Sequence, residues 1–261
     1  MITSPQNPKL KLARALQGRP KERREEGAFL AEGVRLVEEA LAAGWSIRFV
    51  LYASGLSQRG EALLERIGAS GLEVDEVSGD LLQVVSETET SQGILAVLEL
   101  NALPLPNFPN FILIPDQIRD PGNLGTLIRT AAAAGVQAVL LPPETADAFG
   151  PKVVRAGMGA HFRLPVRSME WDEIEQVCTQ PNLRVFLADM NGQSCWETDF
   201  RGPLALIVGG EAEGASEQAR ELANVNVSIP MPGKAESLNA GVAGSVLMFE
   251  VVRQWVSPKN L

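Results

Sequence analysis

The stretch "IPMPGKAESLNAGVAGSVLMFEVVRQ", residues 229–254, decides how this chain is read. Its second half is plain, because Val242, Val246, Leu247, Phe249, Val251 and Val252 make an apolar helix. Its first half is less usual. A proline–glycine loop enters the helix through Ser237-Leu238-Asn239, and the next turns carry Ala240, Gly241, Ala243 and Gly244, which bury little. A helix cap followed by a small-residue packing face accounts for these residues. The same residues also bring hydroxyl, amide and free backbone N–H groups to a helix start, where a flat ligand or a second backbone has room to approach.

Upstream of this stretch, strand and helix patterns alternate. Strands are predicted at 111–116 ("FILIPD"), 138–143, 163–166, 184–189 ("RVFLAD"), 204–210 ("LALIVGG") and 225–230 ("VNVSIP"). Helices are predicted between them at 122–134, 151–157, 170–178 and 216–223. This alternation predicts an α/β fold with a parallel sheet buried on both faces. Before it, "NALPLPNFPN" (101–110) places three prolines in ten residues and marks a boundary. The expected division is 1–103 and 104–261. In the first part, strands are predicted at 47–52, 72–77 and 93–100, with a helix at 58–68. "GAFLAEGVRLVEEALAAG" (27–44) has helical spacing through Val34, Val37 and Leu41 and a stop at Gly44.

The chain has 261 residues, 45% of them hydrophobic and 21% charged, enough apolar material for a sizeable core. No apolar run approaches the ~20 residues of a membrane span, and the first residues lack the apolar centre of a signal peptide. Two isolated cysteines, Cys178 and Cys195, fit a reducing cytoplasm. With His161 as the only histidine, a metal site is not expected. Net charge is −9, which at first argues against a nucleic-acid partner. Its distribution reverses that reading. Residues 1–24 hold seven basic side chains and one acid, so a segment of about +6 precedes a body of about −15. Lys21, Arg23 and Arg24 are the expected phosphate contacts of this basic arm.

Ligands in open α/β sheets lie at the carboxyl ends of strands, and three loops there carry unusual residues. The loop after 111–116 reads "QIRDPGNLGTLIRT", with Asn123 able to cap a helix and Arg129 a lone cation among Leu127, Ile128 and a run of alanines. The end of 204–210 runs into its loop as Gly209-Gly210-Glu211-Ala212-Glu213-Gly214. A dinucleotide loop needs glycine where Glu211 stands. A carboxylate there repels a pyrophosphate and tolerates a cationic ligand. The third loop is the stretch quoted at the outset.

Together, Asn123-x-Gly125-x-x-x-Arg129, Gly209-Gly210-Glu211 and Ile229-Pro230-Met231 running into Ser237-Leu238-Asn239 resemble, in order and spacing, the three motifs of the SpoU (TrmH) methyltransferases of the SPOUT superfamily. The resemblance covers roughly 111–256. "FLAEGVRLVEEAL" and "TSQGILAV" resemble the small ribosomal-protein-like RNA-binding domain that precedes this domain in many relatives. The resemblance implies a deep trefoil knot in the C-terminal domain, a homodimer, and methyl transfer from S-adenosylmethionine to a ribose 2′-hydroxyl. It implies cofactor contacts at Gly209, Ile229 and Leu238, and a catalytic set of Asn123, Arg129, Glu211, Ser237 and Asn239, with Arg129 supplied by the other subunit. One departure is Ala240-Gly241, where relatives more often carry Val-Ser.

The substrate expected is ribosomal RNA, with transfer RNA as the alternative. The chemistry is an in-line displacement that needs alignment and no metal. An arginine with a pKa above ~12 is a poor base, so Arg129 is expected to hold the adjacent phosphate while phosphate or water takes the proton. His161 is expected to have a packing or surface role. Two competing readings are a non-catalytic RNA-binding protein with a degenerate domain and a nucleotide-dependent dehydrogenase. The intact polar set argues against the first, and Glu211 against the second.

Overall fold

A computed structural model describes residues 1–88, 91–211, 213–233 and 236–256. Thr90, Ala212, Lys234 and Ala235 of the quoted motifs lie outside them. The chain forms two compact units, Met1–Asn101 with Phe149–Phe162, and Ala102–Ala148 with Arg163–Leu261. Among the described residues no helix is long and apolar enough to cross a membrane.

The first unit runs α1 (Pro8–Gln17), α2 (Pro20–Glu26), β1 (Ala28–Glu32), α3 (Val34–Ala42), β2 (Ile47–Tyr52), α4 (Gln58–Ala69), β3 (Val74–Glu76), α5 (Gly79–Val84) and β4 (Ile94–Glu99). Its strands lie in the order β1-β4-β2-β3, antiparallel except for the parallel β2–β3 pair. β1 departs from the helix read over 27–44. Ala28, Phe29, Leu30 and Ala31 are all buried, and such a continuous apolar run has no period to separate strand from helix. Gly33, at φ 99°, then turns the chain into α3.

The basic segment is not a free arm. Leu10, Ala13 and Leu16 of α1 enter the core with Leu30, Phe49 and Leu51. Lys9 pairs with Glu73 at 2.5 Å and also with Asp75. Arg23 is only 4% exposed and donates to the carbonyls of Leu16 at 2.6 Å and Gly18 at 3.1 Å. It fastens the α1–α2 corner, so the phosphate contact expected of Arg23 is withdrawn. Lys21 stays exposed, 3.5 Å from Glu25, and Arg24 stays exposed.

The second unit begins with β5 (Phe111–Asp116), α6 (Pro121–Ala134) and β6 (Ala138–Leu141). The next helix, α7 (Pro151–Gly157), belongs to the first unit, where Phe149 and Phe162 pack on Phe29 with ring centroids 5.0 and 6.5 Å apart. His161 is buried there, its ring 5.6 Å from Phe149. The second unit resumes with β7 (Val166–Ser168), α8 (Trp171–Cys178), β8 (Arg184–Ser194), β9 (Leu204–Gly209), α9 (Glu217–Leu222), β10 (Val225–Ser228) and α10 (Ala240–Trp255). Its six strands are all parallel, in the order β10-β8-β9-β5-β6-β7. Every residue of β5 is buried, as a strand covered on both faces requires. Ile112, Ile114, Ala205 and Ile207 meet Ile174 and Cys178 of α8 and Ala219 of α9 on one side. α6 and α10 lie on the other.

α10 answers the question raised by its small residues. A Cβ on Gly244 would collide with the Leu127 side chain of α6 and come within 3.1 Å of Val208 on β9. Only a residue without a side chain lets the final helix settle this closely against both. Overpacking such a contact costs roughly 1–3 kcal/mol. The wall of β8 is also irregular. Val225 and Asn226 pair with Phe186 and Leu187, whereas Val227 and Ser228 pair with Gln193 and Ser194. Residues 188–192 therefore leave the β8–β10 pairing as a bulge beside the strand ends, with Ala188 still paired to Val208 of β9.

Candidate functional site

The first site loop follows β5. Asp120, not Asn123, caps α6: its Oδ1 accepts from the Asn123 N–H at 2.8 Å, with Pro121 opening the helix. The capping role expected of Asn123 is thereby corrected. Its side chain is released for another purpose. Asn123 Nδ2 donates to Glu211 Oε1 at 2.7 Å, and Asn239 Nδ2 donates to the same oxygen at 2.6 Å. Asn239 Nδ2 also reaches Asn123 Oδ1 at 2.9 Å, and the Ala240 N–H approaches Glu211 Oε1 at 3.3 Å. Asn239 Oδ1 meanwhile caps α10 by accepting from the Val242 N–H at 3.2 Å. Three loops far apart in sequence thus converge on one carboxylate.

Beside this cluster lies a cleft of roughly 720 Å³, in the range of small-molecule sites. Gly209, Ile229, Ser237, Leu238 and Asn239 all line it, as do Val208, Met231, Ala243 and Leu247. The walls supplied by Ile229, Leu238 and Leu247 are apolar, and the floor is backbone. A side chain on Gly210 would come within 2.5 Å of the Gln117 carbonyl, and one on Gly209 within 2.7 Å of the Ala215 nitrogen. Glycine is required at both positions for the strand-end loops to cross.

Arg129 is elsewhere. It is exposed on α6, and its side chain makes no hydrogen bond or ion pair among the described residues. Six residues separate it from Asn123, a rise of about 9 Å and a turn of about 240°, so it projects from a different face of the helix. Within one chain it does not join the cluster. Sequence reading also passed over polar residues that surround the site. Arg119 donates to Glu144 at 2.7 Å and Glu213 at 3.4 Å. Asp189, from the β8 bulge, pairs with Arg220 at 3.2 Å on the cleft wall. No periodicity signals these pairs, because they depend on a bulge and on loop crossings.

Asp116, at the end of β5, ties this region together from below. It is fully buried, and its Oδ2 accepts from the Ser216 N–H at 2.6 Å. Its Oδ1 has no hydrogen-bond partner among the described residues. Burial pushes its carboxyl above the ordinary range, against the opposing pull of the Ser216 N–H.

Comparison with known proteins gives a consistent picture. Residues 110–249 match the SpoU rRNA Methylase family, and residues 7–96 match the MRM3-like substrate binding domain. The 23S rRNA (guanosine(2553)-2′-O)-methyltransferase RlmP of Bacillus subtilis is 36% identical over 251 residues, covering 96% of this chain and 98% of that protein. A 23S rRNA (uridine(2479)-2′-O)-methyltransferase of Streptomyces viridochromogenes is 32% identical over 271 residues, covering 99% and 94%. Among solved structures, the AdoMet-bound SpoU methyltransferase AviRb from Streptomyces viridochromogenes superposes with a TM-score of 0.84 at 31% identity, covering 97% of this chain and 99% of that one.

Asp116 yields a pH-dependent prediction. The folded state binds its proton more tightly than the unfolded chain does. The stability this group contributes is therefore full below the unfolded value near ~4 and is lost as pH rises through the raised folded value. Asp116→Asn keeps a carbonyl acceptor for Ser216 and carries no charge. Urea denaturation across a pH series should show the variant gaining stability relative to the parent above about pH 4, then levelling off. A difference that stays flat or falls with pH would contradict the assignment.

Proposed function

The chain belongs to the SpoU rRNA methylase family, and we propose that it transfers a methyl group from S-adenosylmethionine to a ribose 2′-hydroxyl of ribosomal RNA. The observation that carries the reading is the junction of Asn123, Glu211 and Asn239 on the edge of an apolar cleft. A degenerate domain would have no need to keep this polar set fully bonded.

The cleft fits the cofactor by its chemistry. Ile229, Leu238 and Leu247 offer apolar walls for a purine, while Gly209 and Gly210 add cleft lining without side chains. S-adenosylmethionine supplies, when bound, a methyl group on a sulfonium that departs without acid or metal assistance. Glu211 presents negative charge where a sulfonium would be favoured, and its bonds to Asn123 and Asn239 fix it in place. Ser237 offers a hydroxyl at the same mouth. The ribose oxygen gains the methyl group and releases its proton to phosphate or water. Holding reactants aligned is worth roughly 7–11 kcal/mol, enough to make positioning the main task of this protein.

Arg129 enters this reading from a second copy of the chain. A homodimer is supported by α10, where Val242, Val246 and Phe249 follow helical spacing and remain 47%, 39% and 50% exposed. In such a pair Arg129 would hold the phosphate next to the target ribose and stabilise developing alkoxide charge. The reading includes the knotted tail that the family resemblance implies. It also places the protein in the cytoplasm, where its two buried, unpaired cysteines suit a reducing compartment. The Met1–Asn101 part contributes RNA contacts, with Lys21 and Arg24 as the exposed cations expected to meet phosphates.

Two experiments test these roles. Arg129→Ala and Glu211→Ala subunits should each be inactive alone, while S-adenosylhomocysteine still binds Arg129→Ala by calorimetry. Co-expressed, about half the dimers are mixed and each has one intact site, so roughly a quarter of the parental activity should return. A mixture no more active than its parts would rule out a shared site. For the RNA contacts, Lys21→Ala and Arg24→Ala should each lower the salt dependence of RNA binding by about one unit of slope. Arg23→Ala should instead destabilise the fold by about 1–3 kcal/mol. An unchanged slope in both surface variants would remove this face from the RNA interface.

A further inference from the structure

The cleft wall carries an ion pair that the chemistry above leaves unused. Arg220 Nη1 donates to Asp189 Oδ2 at 3.2 Å, and Asp189 Oδ1 accepts from the Asn191 N–H at 2.8 Å. Asp189 belongs to the bulge of residues 188–192, so the departure of β8 from its ladder with β10 is what brings this carboxylate to the cleft. The Arg220 side chain is half exposed, whereas that of Asp189 is 18% exposed. The guanidinium also lies over the Glu211 loop, since a Cβ on Gly214 would stand 3.3 Å from Arg220 Nη2. The pair therefore faces the cavity from anchored backbone on both sides.

The charge of the cleft narrows what it can take. Among the described residues lining it, Asp189, Glu211 and Glu213 are acidic and Arg220 is the one cation. A nucleotide bringing two or more phosphate charges is poorly matched to that surface. A ligand with two positive centres and one carboxylate is well matched. Glu211 is committed to the Asn123–Asn239 junction, and Glu213 lies 3.4 Å from Arg119. The Asp189–Arg220 pair is left as an acceptor beside a donor, the complement of an α-ammonium beside an α-carboxylate. Guanidinium and carboxylate planes meet with two parallel hydrogen bonds, which favours Arg220 for the acid group.

Resting on the proposed use of S-adenosylmethionine, we propose that Arg220 binds the α-carboxylate of its methionyl part and Asp189 the α-ammonium. The resident ion pair exchanges partners with the zwitterion, and the amino-acid end of the cofactor becomes a specificity determinant. Asp189 has a second task, orienting the guanidinium before the ligand arrives.

Calorimetry with two ligands isolates this role. S-adenosylhomocysteine carries the amino-acid group and 5′-methylthioadenosine lacks it. Arg220→Ala should weaken S-adenosylhomocysteine about tenfold or more, as expected for a lost charged hydrogen bond, and should change methylthioadenosine affinity by less than about twofold. Arg220→Gln, uncharged and of similar reach, should show the same split and guards against a folding defect in the alanine variant. Equal weakening of both ligands, or unchanged affinity for both, would overturn the assignment. Failure of the parental protein to bind S-adenosylhomocysteine would instead overturn the functional reading beneath it.

Discussion

One carboxylate oxygen, Oε1 of Glu211, receives the side-chain amides of Asn123 and Asn239 and the backbone N–H of Ala240. Those donors belong to the starts of α6 and α10, so a single acceptor ties two helices to the loop after β9. Hydrogen bonds to an ionised acceptor are about twice as strong as neutral ones. Here they also solve a geometric problem. Each helix start leaves N–H groups unpaired, and the caps at Asp120 and Asn239 satisfy them locally while freeing the Asn123 amide to bridge. At the mouth of the cleft these members use one another's hydrogen-bonding capacity.

That junction forms only if backbones come unusually close. Gly210 crosses Gln117, Gly209 crosses Ala215, and Gly244 seats α10 against Leu127 and Val208. The small residues that bury little by themselves permit the larger apolar burial around them. Leu124, Leu127 and Ile128 of α6 and Leu247, Met248 and Val251 of α10 are all buried beside these crossings. Packing and chemistry are therefore the same constraint. What brings the loops together for catalysis also gives the last helix its place.

Much of this was readable in the sequence, and the failures have physical reasons. The parallel sheet was legible because its strands are apolar runs punctuated by turn residues, as in "FILIPD" and "LALIVGG". Convergence of Asn123, Glu211 and Asn239 was legible through their shared position at strand ends and through family resemblance. β1 was hidden because Ala28–Ala31 is apolar at every position. α1 read as part of a basic arm because its buried stripe, Leu10, Ala13 and Leu16, is interleaved with lysines and an arginine. The burial of Arg23 depends on a corner between two helices, which no spacing announces. Asp189 and Arg220 meet across a bulge, and a bulge leaves no periodic signature. The segment Phe149–Phe162 joins the first unit through aromatic contacts with Phe29 and Trp45, a pairing distant in sequence.

The central claim is that this scaffold aligns a ribose oxygen with a methyl donor, so the product itself is the most direct evidence. Ribosomal RNA incubated with the protein and S-adenosylmethionine bearing a deuterated methyl group would be digested to nucleosides and analysed by mass spectrometry. The account predicts the labelled methyl on the ribose of one nucleoside type, as its 2′-O-methyl form. Label found on a base, or on no nucleoside while the protein binds the donor, would contradict it.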